Sequence, residues 1–535
     1  MFGITTLGHD FREDIMTLST HVRRSTLHPC VGSRPIGRLS RSLMTIPLLC
    51  GMFACQFPHH DMEGARIYNK AKAQTVTFGG GPHTQSPSGQ ILQAREVDRQ
   101  KEAELLIPPL TLEKLGNLAL RYNPTLAQAV GHVEAEEAKA LQAGLYPNPI
   151  LGFSGLQFFL PSGGPIFIGG FAKQEFITGG KLRLSREKFL MRASLAEIEA
   201  LEQMFRVTNS MRINYFTVLG AQRILQIQKE RLQWTQDQLA MAQGRFNKGV
   251  VNGAVVQHLQ TVLQERELKV LEAENSLRMH WENLVTTVGK PLPLSPLEDN
   301  LEADLTPPLE FDKELERMLD ASPELAHAEL FVKFDRIKVQ REQVEPIPNL
   351  TIVAGGGVNH EGAPRAGPGP WNVANVDVSI NVPIFDRNQG TIQQAKAALK
   401  NAQYEITRMQ LDLRRRLADA FGMYLTSLQY VRALQSAVLP QAETRYTTQL
   451  KSYQENRANW REVLETQDEL FAQRQNHVVR LVQLQIPRVL IKGFLLSGGP
   501  PPVGLPGDPF RSANGLTPVL APDIPGHITA TPKPR

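Results

Sequence analysis

The chain has 535 residues, aromatics make up 7% of it, and its formal net charge is +5. That charge is too small for the length to argue for nucleic acid, and the basic residues form no patch beyond Arg414–Arg416, which reads as a solvated helix face. The only cysteines are Cys30, Cys50 and Cys55, so the body of the chain offers no disulfide framework, thiol nucleophile or thiolate metal site.

Residues 1–55 read as a leader. Arg23, Arg24, Arg34, Arg38 and Arg41 precede the mostly apolar Leu43–Ala54, the order of a secretory signal. The stretch lies far from Met1, so Met16 and Met44 are candidate starts. Ala54 stands directly before Cys55, as a small residue does in a lipoprotein cleavage box. Cys55 is therefore a candidate for lipidation, with simple cleavage near Ala54 as the alternative. Residues 56–106 are polar, with Gly79–Gly81 and scattered Ser, Pro and Gln, and read as a flexible tether. Residues 497–535 are rich in Pro and Gly and read as a disordered tail. Beyond residue 56 no run of about 18 apolar residues is long enough for a transmembrane helix. This leaves a β-barrel open, since barrel strands are short and alternating.

Between tether and tail the chain repeats itself. Asn123-Pro124-Thr125-Leu126-Ala127-Gln128-Ala129 aligns with Ser322-Pro323-Glu324-Leu325-Ala326-His327-Ala328, and Pro147 and Pro149 align with Pro346 and Pro348. Each half, 108–290 and 309–492, starts with a helix, Leu112–Leu145 or Phe311–Val344, stopped by a Pro-x-Pro. Extended segments follow, Ile150–Phe159 and Leu350–Val358. Loops at Leu160–Gly170 and Asn359–Asn372 lead to returning strands, Phe171–Thr178 and Val373–Pro383. The last alternates most clearly: Ala374, Val376, Val378, Ile380 and Val382 are separated by Asn375, Asp377, Ser379 and Asn381, giving one oily and one wet face. Pro383 ends the ladder.

Long helices then run over Gly180–Phe246 and Asp386–Ser452, the second with Asp386 or Asn388 as its cap. Its apolar or small positions, from Ala395 to Val438, recur about every 3.6 residues, the period of a nearly straight helix rather than a heptad coil. Each helix would span on the order of 100 Å, more than a globular core requires. Each is broken, at Asn247–Gly253 or Gln454–Asn459, and returns as Ala254–Val288 or Trp460–Ile491. The breaks are hairpin tips between antiparallel helices. The halves are joined by a Pro/Leu-rich linker, 291–308.

Helix, strand, loop, strand, long helix, tip and returning helix, given twice, resemble the plan of the TolC-like outer-membrane efflux protein family. The closest local matches are Phe176-Ile177-Thr178-Gly179-Gly180-Lys181 and Val382-Pro383-Ile384-Phe385-Asp386-Arg387-Asn388-Gln389-Gly390. The resemblance covers about residues 108–492. It implies an α+β membrane protein: a homotrimer in which four strands per protomer close a twelve-stranded β-barrel in outer-membrane lipid, continued by a long α-helical periplasmic tunnel. It also implies a passive exit duct of a tripartite efflux or type I secretion system, with a periplasmic adaptor (membrane fusion) protein and an inner-membrane pump as partners. No enzyme activity, cofactor or nucleic acid is implied.

In such a barrel Asn375, Asp377, Ser379 and Asn381 would face the lumen. Gly249, Val250 and Val251 at the first tip, and Asn456, Arg457 and Ala458 at the second, would contact the adaptor. The second tip lacks the family's usual glycine. A plain interhelical turn remains the other reading of both tips. Trp371 is either an interfacial anchor or part of loop packing, and Gly355-Gly356-Gly357 marks a barrel bend or crowded rim. The histidines form no H-x-x-x-H or H-E-x-x-H pair, which argues against a metal centre. The competing reading of the whole chain is a periplasmic coiled-coil adaptor or scaffold without a barrel. Nothing in the sequence selects a drug, metal or protein cargo.

Overall fold

In the computed structural model, residues 86–95, 107–156, 167–298, 301–302, 308–359, 371–455 and 457–498 are described. Each half begins with two helices where the sequence suggested one. The first half has α2 (Leu112–Tyr122) and α3 (Pro124–Ala143); the second has α6 (Phe311–Ala321) and α7 (Pro323–Val344). The breaks fall at Asn123 and Ser322, both extended in backbone, because a following proline disfavours the helical region for the residue before it. Proline then opens the next helix, where its missing N–H costs nothing. Asn123 also caps α3 through Thr125 N–H at 2.9 Å.

The remaining elements follow the repeat. The first half continues with β1 (Ile150–Leu156), β2 (Phe167–Phe176), α4 (Lys181–Asn247) and α5 (Gly253–Val288). The second continues with β3 (Leu350–Asn359), β4 (Trp371–Ile380) and α8 (Gln389–Ala433). A π-helical turn at Leu434–Val438 separates α8 from α9 (Leu439–Gln454), and α10 (Trp460–Lys492) returns. The π turn lies just ahead of Pro440, whose ring would clash with the carbonyl four residues back in a regular helix. At 67 residues, α4 has no such interruption. The apolar series in α8 is borne out, with Ala395, Ala402, Leu413, Leu417, Ala420, Tyr424, Leu428 and Val431 all buried.

One earlier helix, α1 (Pro87–Arg95), lies inside the stretch expected to be a tether. Ile91 is buried in the core, and the N–H and hydroxyl of Ser88 both donate to the Glu197 carboxylate of α4.

The main core forms where α2, α3, α4, α5, α8 and α10 meet the inter-repeat linker. The linker is held at several points. Trp281 Nε1 donates to the Leu292 carbonyl at 3.0 Å, and Leu110 and Leu297 form a parallel bridge. Past the end of α10, Phe494, Leu495 and Leu496 are also buried. Asn209 donates to the carbonyls of Gly493 and Leu496, at 2.9 and 2.6 Å, and fixes that turn.

The four strands form one antiparallel sheet in the order β1-β2-β3-β4. β2 starts at Phe167, earlier than the sequence suggested. There Phe167-Ile168-Gly169-Gly170 pairs with Gly356-Gly357-Val358-Asn359, and the glycines removed the alternation that would have marked a strand.

Candidate functional site: sheet faces, junctions and helical tips

Directly paired residues of an antiparallel sheet share a face, so the register sorts the side chains. One face carries Leu151 and Phe153 of β1 with Ile168, Ala172 and Phe176 of β2. It continues through Leu350, Ile352, Ala354 and Val358 to Val376, Val378 and Ile380. Phe153, Val376 and Ile380 are 73%, 69% and 57% exposed in the single chain. The other face carries the charged and most of the polar side chains, Ser154, Lys173, Glu175, Thr351, Asn359, Asn375, Asp377 and Ser379, interspersed with Ile150, Leu156, Phe167, Phe171, Val353, Val373 and Trp371. Asn381 lies one residue beyond the end of β4, so only three of the four expected wet-face residues belong to the pleat. Trp371 falls on the face of Asn375 and Asp377, opposite to the apolar face an interfacial anchor would need. Gly355–Gly357 lie within β3 rather than at a bend.

At each junction from strand to long helix, the chain turns through a left-handed residue at the helix N-terminus: Gly180 before α4 (φ 69°) and Asn388 before α8 (φ 57°). Glycine has no Cβ to obstruct this conformation, and asparagine tolerates it best among the others. Asn388, one of the two expected caps, makes no side-chain cap bond. Its Nδ2 donates instead to the carbonyl and carboxylate of Glu342 in α7, at 3.0 and 2.9 Å. Asp386 accepts the Asn388 N–H at 2.9 Å, closing the turn. The first junction is tied across the repeat: Lys181 Nζ donates to Asn349 Oδ1 at 3.0 Å, and Asn349 Nδ2 donates to Glu175 at 2.8 Å. Beside the second junction, Phe385 is 89% exposed.

The two tips share an outer hydrogen bond. At the first, Gly249 N–H donates to the Phe246 carbonyl at 2.8 Å and Val250 N–H to that of Arg245 at 3.0 Å, with Gly249 at φ 71°. This is a Schellman cap. Asn252 then caps α5. At the second, Arg457 N–H donates to the Ser452 carbonyl at 2.8 Å, the same outer bond. Asn456, in the place of Gly249, lies outside the described residues, as does Cys55. The surfaces differ: Val250 is 71% exposed at the first tip, whereas the second tip presents Lys451, Arg461 and Arg457, the last paired with Glu455. Trp460 stacks on Trp234 at 6.0 Å and packs against Tyr453 at 4.9 Å, so the start of α10 touches α4 and α9.

A cluster of titratable side chains, marked by no sequence motif, sits where α3, α4, α7 and α8 pack. His132 and His327 flank Glu199, with Nε2 atoms 3.5 and 3.4 Å from its two oxygens. Burial pushes the Glu202 carboxyl up to about 7, with Glu324 and Glu199 adding repulsion against the pull of His327 and Arg206. Burial works against a charge on His327, but the Glu199 hydrogen bond and the carboxylates of Glu202, Glu199 and Glu324 raise its pKa above the usual value. Desolvation also opposes ionisation of Glu199, yet His327, His132 and Arg192 outweigh it and hold its pKa low. Arg416 pairs with Glu324 and, at 2.9 Å, with Asp412. Its side chain is only 8% exposed, which corrects the reading of Arg414–Arg416 as wholly solvated. Among the described residues no group of three His, Cys, Asp or Glu side chains is placed to hold a metal ion, and no helix is long and apolar enough to cross a membrane.

A sheet with an exposed apolar face and an opposite polar one, carried on paired helical hairpins, is the protomer of an outer-membrane channel. The comparisons agree. The model of the outer membrane efflux protein family matches residues 115–290 and again 315–491; the chain belongs to that family, and acts as an outer-membrane efflux channel. The cobalt-zinc-cadmium resistance protein CzcC of Cupriavidus metallidurans is 26% identical over 378 residues, 68% of this chain and 85% of that protein. The solved structure of CusC is similar at a TM-score of 0.60 and 18% identity, covering 72% of this chain and 92% of that one. VceC from Vibrio cholerae is similar at 0.57 and 17%, covering 72% and 96%. A barrel-less adaptor finds no support among these relatives.

Proposed function

We propose that three copies close a twelve-stranded barrel, β4 of each protomer pairing with β1 of the next, and that the long helices continue it as a periplasmic tunnel. The observation that carries this reading is the sheet itself. Its apolar face is uncovered, and among the described residues β1 and β4 each have no strand on their outer edge, a state that lipid does not tolerate until closure supplies the missing hydrogen bonds. Asn375, Asp377 and Ser379 then line a water-filled lumen. The channel is a passive duct and catalyses nothing. Gly249, Val250 and Val251, with Asn456, Arg457 and Ala458, form the end that docks a periplasmic adaptor, which couples it to an inner-membrane pump. Cys55 carries the lipid anchor of the mature chain. The likeness to a cobalt-zinc-cadmium resistance protein makes divalent metal cations the first cargo to test.

The test is outer-membrane fractionation followed by gel migration of unheated and heated samples, with growth of a deletion strain on cobalt, zinc and cadmium. A heat-dissociated trimer and restored resistance on complementation are expected. A soluble monomer overturns the barrel; a trimer that restores resistance to organic toxicants but not to metals overturns only the cargo.

A further inference from the structure

Glycines are placed unequally in effect on the two faces of the sheet. On the apolar face, a Cβ at Gly170 or Gly356 would meet nothing closer than 3.7 or 3.5 Å. On the polar face the corresponding space is filled. A Cβ at Gly152 would lie 2.4 Å from the Phe171 ring, and one at Gly169 would lie 2.5 Å from the Phe167 ring. At Gly355 it would meet Asn375 Oδ1 at 2.8 Å and Phe171 Cβ at 3.4 Å. The register puts Gly152, Phe171, Gly355 and Asn375 on one rung, and Leu156, Phe167, Asn359 and Trp371 on a rung nearer the strand ends remote from the helices. The Phe171 ring thus lies across its paired glycine, along the wall.

We infer that Gly152 forms a floor on which the Phe171 ring lies flat, and that this floor keeps an aromatic collar out of the lumen of the assembled channel. The inference rests on the trimeric barrel proposed above. Threefold symmetry puts three Phe171 rings at one level. A twelve-stranded barrel with strands about 4.8 Å apart and tilted by about 40° has a backbone diameter of about 24 Å, so three rings turned inward would fill a large share of the bore. Cargo leaving the tunnel passes the polar rungs of Glu175, Thr351, Ser379, Lys173 and Asp377, then this apolar collar. Gly152 and Phe171 together set the width there. Gly169 and Gly357 have another role: a Cβ at Gly169 would also lie 2.6 Å from the Gly356 carbonyl oxygen, and one at Gly357 would lie 2.2 Å from the Ile168 carbonyl oxygen, backbone atoms with no freedom to swing aside.

Ser379 lies on the lumen face nearer the helices than Phe171, so a reagent entering from outside the cell must pass the collar to reach it. The experiment measures labelling of Ser379→Cys in intact cells by a small and a bulky membrane-impermeant thiol reagent, with the chain lacking the added cysteine as blank. Added Gly152→Val is expected to slow the bulky reagent several-fold while the small one reacts as before, and Phe171→Ala on top of it to restore the rate. A bulky rate unchanged by Gly152→Val, or still slow in the combined variant, overturns the collar. Phe171→Ala alone, on the intact floor, is expected to leave the bulky rate unchanged. A several-fold rise would show a ring already standing in the lumen and overturn the inference even if Gly152→Val fails to assemble. Failure of the small reagent to label Ser379→Cys in heat-dissociable trimers counts against the barrel assignment itself.

Discussion

Tyr215 and Tyr424 lie at nearly the same depth along the two long helices and hold the inter-repeat linker within its length and just past its end. Tyr215 Oη donates to the Glu298 carbonyl at 2.6 Å, and Tyr424 Oη accepts the Leu309 N–H at 3.0 Å. Both rings are fully buried. The internal repeat therefore does more than double the strands: it supplies matching clasps for the segment that joins the halves. Phenylalanine at either position keeps the ring but leaves a backbone group without its partner. Each change should cost about 1–3 kcal/mol, read as a lower thermal midpoint of the purified protein in detergent. The pair should act nearly additively, because the two hold backbone groups eleven residues apart, Glu298 and Leu309. A midpoint unchanged in both single variants would show that water satisfies the freed groups.

Arg416 and Glu324 are joined across the interface of α7 and α8, with side chains 8% and 10% exposed. A buried ion pair adds little net stability against a well-packed apolar pair, but removing one partner strands the other charge. Arg416→Leu should therefore destabilise by about 3–5 kcal/mol, whereas Arg416→Leu with Glu324→Leu should recover most of the loss. Glu324→Leu alone should be milder than Arg416→Leu, because Asp412 remains beside Arg416 at 2.9 Å. Thermal unfolding of the three variants separates these outcomes. A double variant no better than the worse single one would show that packing, not charge, dominates the site.

Much of this architecture was legible in the chain because it rests on local chemistry given twice. Proline after Asn123 and Ser322, the period of α8 and the alternation of β4 each dictate a conformation without reference to distant residues. What stayed hidden depends on pairing across long separations. Arg416 looked solvated because its partner, Glu324, lies on another helix. The start of β2 was blurred because its glycines, Gly169 and Gly170, are explained only by the neighbouring strand. The helix Pro87–Arg95 was missed because it is short and weakly patterned, and is held by Ser88 on Glu197. At the second tip the glycine signal was absent, yet the Arg457–Ser452 bond repeats the outer bond of the first tip.

The cluster around Glu202 gives the helical body a pH dependence with a definite sign. The Glu202 pKa is raised from 4.5 to about 7 in the fold, so folding favours its protonated form; its stabilising contribution is full below 4.5 and is lost as pH rises through 7. The His327 pKa is raised above 6.5, so its contribution is also full below 6.5 and lost as pH rises further. Glu199 acts oppositely, but only below its ordinary 4.5. The Glu202 shift acts between pH 4.5 and about 7, and the His327 shift joins it above 6.5. The thermal midpoint should fall across that range, and Glu202→Gln, which cannot ionise, should flatten the fall. A slope unchanged by Glu202→Gln would place the titration elsewhere.

The tips give the sharpest test of partner docking, because structure and surface can be separated there. Gly249 has a left-handed backbone, and a Cβ built on it would meet nothing within 4 Å. Gly249→Ala should therefore pay only the backbone strain, about 1–2 kcal/mol, in a turn remote from the core. It should leave both trimer formation and adaptor capture intact. Gly249→Trp adds the same strain plus a large ring standing off the tip beside Val250, which is 71% exposed. If this surface docks the adaptor, pulldown of the adaptor by the Trp variant should fall while trimers still form, with Ala as the control for strain. At the second tip the exposed feature is a charge. Arg457→Glu should weaken capture more at low than at high salt if the adaptor offers acidic groups there. Equal capture by Gly249→Ala, Gly249→Trp and the unaltered chain would remove Gly249 from the docking surface and leave the first tip as a turn between helices.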